Sequence, residues 1–317
     1  MTALPKPVID AMADRAVRLH HLLWHTARDD WAIMTPEQQE VLRHHGWEPP
    51  RPSISAPPRA IELENGSGED FLFMHREMIA AVNDILAELG DPQHVRVEGW
   101  PTVPAPEDSE YPVPPPFDVP VGVLVTTEDI RGAKSPESFA QIRDWGSKFT
   151  DPARLRGMSL GRLGALVEYT IHNTMHLRWS AEMPGYRPDK DYFNVDPRWD
   201  DAGYDWMADF YSSHVNPIFW KLHGWVDARI DDWMAANELT GAVPWSFDPP
   251  WSGPAGHHGH DPHHPVARLA VRAQPGSAEA DYLDSRLRAL EATVEHVKRA
   301  GVHEPAPFFI SRDVRLP

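Results

Sequence analysis

Apolar residues recur at three- and four-residue spacing along most of this chain, with polar residues between them. Val8, Met12, Ala16, Leu19, Leu22 and Leu23 form such a stripe after Pro7 and predict one helix from Pro7 to about Asp30. Thr35-Pro36-Glu37-Gln38 is a capping box with proline at the first helical position, and it opens a short helix that stops at Gly46. A further helix is predicted from about Glu69 to Leu89, closed by Gly90, and a modest one from Ser135-Pro136-Glu137 to about Lys148. Ser159 is the expected N-cap of a helix running through Leu160, Leu163, Leu166, Val167 and Ile171 to Trp179. Trp206 to Ser212 reads as a short helix. Asn216-Pro217 then starts a long one reaching about Ala236, and an amphipathic helix covers about Ala278 to Ala300. Val121 to Thr126 has the composition of a short strand.

Between these elements lie proline-rich stretches at Trp47 to Pro58 and Pro101 to Pro120, where proline enforces extended backbone. The predicted architecture is therefore mainly α: a helical bundle with long proline-rich loops wrapped around it. Residues 1–240 are expected to form the helical domain. Residues 241–317, a His/Pro-rich loop with a C-terminal helix and tail, are expected to pack on it.

Composition narrows the chemistry. Of 317 residues, 41% are hydrophobic and 13 are tryptophan, ample for a packed core. A formal net charge of -17 argues against nucleic acid or an anionic membrane as partner. Cysteine is absent, which excludes disulfides, thiolate metal sites and cysteine nucleophiles. Met1 to Asp14 lacks the features of a secretory signal and no stretch is apolar enough to span a bilayer, so a cytoplasmic protein is expected.

The 18 histidines fall in clusters. His172-Asn-Thr-Met-His176 places two imidazoles on one helical face, one turn apart, where they can take adjacent positions on one metal ion or form a solvated face. Apolar neighbours on both sides (Leu166, Val167, Ile171 and Met175) favour the first. His223, on the helix after Asn216, is the best-placed third ligand; a hydrogen-bonded core histidine is the alternative. Asp227 lies one turn beyond it, suited to supporting a ligand or to a structural ion pair. His21 and His25 share a face with the same i, i+4 spacing. Ligation by imidazole alone suits copper, zinc, nickel or iron. The tract from His257 to His264 reads as a metal-gathering loop, a lid or a surface segment without catalytic meaning.

These residues resemble a known family. His172-Asn173-x-x-His176, followed by Asn216-Pro217-x-Phe219-Trp220-x-x-His223-x-x-x-Asp227, looks like the second copper-binding signature of tyrosinases and related type 3 copper proteins. Met207, Asp209 and Ser213 are similar to its lead-in, and Phe71-Leu72-x-Met74-His75-Arg76 is similar to the end of the first signature. Asn216 stands where the family generally has Asp, and Leu222 where it commonly has a second His. Asn65 to Asp70, where the first signature would carry a histidine, has none.

The resemblance implies a tyrosinase/haemocyanin-like bundle in which two helix pairs each present three histidines to one copper, the two coppers together binding dioxygen. It implies that Arg76 pairs with Asp227 across the signatures. It also implies that Asn173 helps a water act on the substrate phenol, for which Glu168 is the nearest partner base. For the first half-site, His75 would be joined by His44 or His45, with His21 or His25 filling the gap. Phe71, Phe219 and Trp179 are candidates for a dry aromatic wall, or for plain core positions. The expected activity is oxidation or ortho-hydroxylation of a phenolic, catecholic or aminophenolic small molecule or peptide side chain. An incomplete first half-site would instead give a single-copper protein of altered or no catalysis, and histidines alone also admit zinc or iron.

Overall fold

The apolar stripe after Pro7 is two helices rather than one. In the computed structural model, which describes residues 4–55, 60–123, 125–187, 193–254 and 276–301, α1 (Lys6–Met12) gives way to α2 (Arg15–Asp30) at Ala13 and Asp14. The Asp14 carboxylate accepts from the Ala16 amide at 2.8 Å, so it caps a new helix instead of sitting inside an old one. The capping box of α3 (Pro36–His44) forms as the sequence predicts, with Thr35 and Gln38 satisfying each other's backbone amides. There follow α4 (Ser67–Leu89), α5 (Thr127–Ala133), α6 (Pro136–Phe149), α7 (Pro152–Leu155) and α8 (Leu160–Val167). A π turn (Glu168–His172) leads from α8 into α9 (Asn173–Arg178). The last helices are α10 (Pro217–Ala236) and α11 (Ala278–Arg299).

The fold is mainly α. Two further sequence expectations change. Among the described residues, Val121 and Val123 form only an isolated bridge and no strand. Residues 206–212 are turns rather than helix, followed by a short 3-10 segment (Ser213–Val215). That region is organised around Asp209, whose carboxylate accepts from buried Arg187 at 2.7 and 3.1 Å and from the Tyr211 amide at 3.0 Å.

The core is continuous through α1, α2, α4, α8, α9, α10 and α11. α11 packs on α2 and α3, and residues 245–251 cross the start of α4 through Ser246–Glu69 and Trp251–Asp70 hydrogen bonds. The His257 to His264 tract lies outside the described residues. No helix among the described residues is long and apolar enough to cross a membrane.

The tightest packing is between α4 and α8. A Cβ at Gly68 would lie 2.0 Å from the Gly161 carbonyl oxygen, and one at Gly164 would lie 2.1 Å from that of Gly68. Both obstacles are backbone, which no rotamer change can move. Gly164→Ala is therefore expected to destabilise the protein by about 3 kcal/mol, at or beyond the upper end of ordinary overpacking. Denaturant unfolding measures this, and a loss under about 1 kcal/mol would contradict the close crossing.

Candidate metal centre

Five elements bring six histidines to one buried place. α2 supplies His21 and His25, α4 His75, the π turn and α9 His172 and His176, and α10 His223. All six are at most 5% exposed. The π turn ends on His172; such turns insert one residue into a helix and re-aim the side chains that follow.

Nearly every ring is oriented by a hydrogen bond from Nδ1. His75 and His223 donate to the carbonyls one turn back in their own helices, Phe71 at 2.9 Å and Phe219 at 2.8 Å. His176 donates to the Met207 carbonyl at 2.7 Å, and His21 to that of Phe210 at 2.5 Å. His172 Nδ1 is 2.9 Å from Oδ1 of Asn173. A carbonyl oxygen only accepts, so Nδ1 carries the proton and Nε2 keeps its lone pair. That is the tautomer a metal requires.

The Nε2 atoms then face one another. His172 Nε2 lies 3.0 Å from that of His223 and 3.1 Å from that of His176. Such lone pairs repel unless a cation stands between them, and ligands at about 2.0–2.1 Å from a metal are themselves about 2.8–3.4 Å apart for angles between square and tetrahedral. Nε2 of His75 and of His21 is buried with no hydrogen-bond partner. Donor atoms of His21, His25 and His75 lie within 4.8 Å of one another, as do those of His75, His172 and His223. These buried histidines can hold metal.

Aromatic rings enclose the cluster. Phe219 stacks on His223 at 3.7 Å and also meets His21, His75 and His176 at 5.8–6.1 Å. Phe71 packs on His75 at 4.7 Å and on His172 at 4.9 Å, and Phe210 stacks on His25 at 4.2 Å. Burial is the first cause of the low basicity throughout. It pushes His21 and His176 down to about 4, and holds His25, His75, His172 and His223 well below the ordinary value, with neighbouring histidines adding to the effect on those four.

Of the candidates for the first half-site, His21 and His25 reach His75 whereas His44 and His45 do not. α3 ends at His44 on the surface; His45, its C-cap, pairs with His296 of α11 at 2.9 Å. The expected first ligand, His44 or His45, is thus away from the cluster, and His21 and His25, expected only to fill the gap, both stand in it. His214 is a further buried histidine in the neighbourhood, its ring 4.7 Å from that of His21. It belongs to no periodic element, so no spacing signal points to it.

Glu168 is not placed as a base for substrate. Both of its oxygens accept from Arg28, at 2.5 and 2.6 Å, and both residues are buried. Burial pushes its carboxyl up to about 7, against the pull of Arg28, and above that pH the two-point contact is an ion pair. Glu168→Ala is expected to cost about 3–5 kcal/mol of stability by leaving the Arg28 guanidinium buried without its counter-ion. Unfolding in denaturant with an unchanged midpoint would restore Glu168 as a free base. Trp179 is also removed from the site, packing on Trp100 at 4.7 Å and donating to the Tyr111 carbonyl. Arg76 pairs with Asp227 at 2.6 and 3.2 Å, joining α4 to α10.

No protein-family model matches this chain, and no curated protein is significantly similar to it.

Proposed function

We propose that this protein is a copper-dependent, tyrosinase-like oxidoreductase that uses dioxygen to ortho-hydroxylate a phenol or oxidise a catechol or aminophenol. The substrate is a small molecule or an aromatic side chain of a peptide. The observation that supports this most is the convergence of six buried imidazoles, five with an oxygen partner at Nδ1, in a site without thiolate. Two copper ions held there would supply the two electrons that dioxygen takes up together, and imidazole suits copper as a ligand. The protein's own residues hold the rings in register, keep them neutral by burial, and exclude water with Phe71, Phe210 and Phe219. Asn173 lies beside the cluster at 8% exposure, with its side-chain oxygen committed to His172.

One observation favours a second reading. The triad of His75, His172 and His223 draws on both halves of the cluster, as a single ion would require. That protein would be a one-metal member with altered or no catalysis, and its metal could be copper, zinc or iron.

Metal content per chain separates the two, together with paramagnetic resonance of the oxidised protein. Two coppers with little resonance signal, a near-ultraviolet band on adding hydrogen peroxide, and oxygen uptake with catechol are expected. One copper with a full signal sinks the first reading in favour of the second. Retention of zinc or iron in preference to added copper rejects copper altogether.

A further inference from the structure

Five of the six clustered histidines direct Nδ1 to a neutral oxygen. His25 differs. Its Nδ1 lies 3.5 Å from Oδ2 of Asp29, one turn further along α2, with the ring held between Phe210 at 4.2 Å and Trp24 at 4.8 Å. The other oxygen of Asp29 accepts from Ser53 Oγ at 2.7 Å, from the Tyr169 hydroxyl at 2.9 Å and from Arg28 at 3.2 Å. Three donors thus pin the carboxylate and leave Oδ2 turned toward His25.

Charge makes this contact unlike the others. Arg28 and Glu168 cancel in their two-point ion pair, so Asp29 leaves the network one negative charge, set against α2. No carboxylate faces His172, His176 or His223 at Nδ1, where Asn173, Met207 and Phe219 supply neutral oxygens. A carboxylate receiving the far N–H of a ligating imidazole fixes its tautomer and strengthens its donation. A fixed negative charge close to a metal also favours the more highly charged ion.

On the copper reading above, we infer that Asp29 is a positioning residue for one copper only. It takes a hydrogen bond from Nδ1 of His25, which needs the 3.5 Å gap to close by about half an ångström. It thereby aims Nε2 of His25 toward His21 and His75. The copper held by His21, His25 and His75 is the harder of the two to reduce, and the two ions are electronically unequal despite their equal count of imidazoles.

The test is Asp29→Asn against the wild-type protein, each loaded separately with Cu(I) and Cu(II) and titrated with a competing chelator. Expected is a roughly 10–100-fold weaker grip on Cu(II) at one of two sites, the usual effect of removing such a partner. The loss for Cu(I) is smaller and the other site is unchanged. Each tenfold difference between the two losses raises that copper's potential by about 59 mV. Equal losses for both oxidation states mean a merely structural role and overturn the inference, as does no loss at all. If the variant does not fold, the wild-type protein loaded with Cu(I) and labelled with ¹⁵N-histidine carries the test. A slowly exchanging, strongly downfield Nδ1 proton that disappears in His25→Gln supports the role; its absence overturns it. Wild-type protein holding fewer than two coppers would overturn the dicopper reading itself, a result distinct from two coppers that ignore Asp29.

Discussion

On the dicopper reading proposed above, replacing His223 by alanine is expected to strip the copper that would be shared with His172 and His176 while leaving the one at His21, His25 and His75 in place. His223 is packed between Phe219 and His75, with ring centroids 3.7 and 4.4 Å away, and its Nε2 lies 3.0 Å from that of His172. No other described histidine is placed to substitute, since His214 lies on the His21 side. Binding free energies of roughly 10–16 kcal/mol for four-ligand metal sites put each ligand at about 3 kcal/mol, or a hundredfold in affinity. Dialysis against a chelator should therefore leave one copper per chain where the wild-type protein keeps two. The metal-free variant should lose far less stability than its loaded form. The lost packing of the ring is offset by relief of a buried lone-pair repulsion. Unchanged copper content would refute His223 as a ligand.

The second large effect is acid lability of the metal-free protein. His21, His25, His75, His172, His176 and His223 all have depressed folded-state values, about 4 where the shift is smallest. Below about pH 6.5 the unfolded chain takes up protons on these groups while the folded one does not. Their contribution is complete above that pH and is lost as the pH falls toward 4. Each group costs up to about 1.4 kcal/mol per pH unit, so six remove roughly 8 kcal/mol per unit from a total stability of about 5–15 kcal/mol. Glu168, pushed up to about 7, acts in the opposite sense: its contribution is present below the ordinary carboxyl value and fades as pH rises toward 7. One such group does not balance six. Tryptophan fluorescence should show the metal-free protein unfolding near roughly pH 5, and bound metal should shift that midpoint by mass action. A metal-free protein still folded at about pH 4 would mean that the cluster admits water and titrates normally.

What the sequence could reveal depended on whether a residue sat in a local pattern. α3 and α6 start where Thr35 and Ser135 cap them, and α10 starts at Asn216-Pro217, because capping acts over three residues. His172, His176 and His223 were legible for the same reason, since one helical face and one turn-helix motif hold them. The partners of His75 were not. His44 or His45 is expected as the first ligand and His21 or His25 only to fill the gap; packing decides otherwise, because α2 runs through the core while α3 ends at the surface. The break at Ala13 and Asp14 escaped because neither glycine nor proline marks it. Glu168 looked available because nothing near it in sequence announces Arg28, which is 140 residues away. The Arg76–Asp227 pair, expected from resemblance alone, is present in the fold.

The close crossing at Gly68 and Gly164 sets a length. Gly68 lies two turns before His75 on α4, and Gly164 stands on the helix leading into the π turn that ends at His172. Because the two helices meet through peptide atoms, the gap between their axes follows from atomic radii and not from any side chain's choice of rotamer. A single methyl group at the crossing must widen that gap. A methyl group at this crossing would therefore press on the spacing between His75 and His172 without replacing either imidazole.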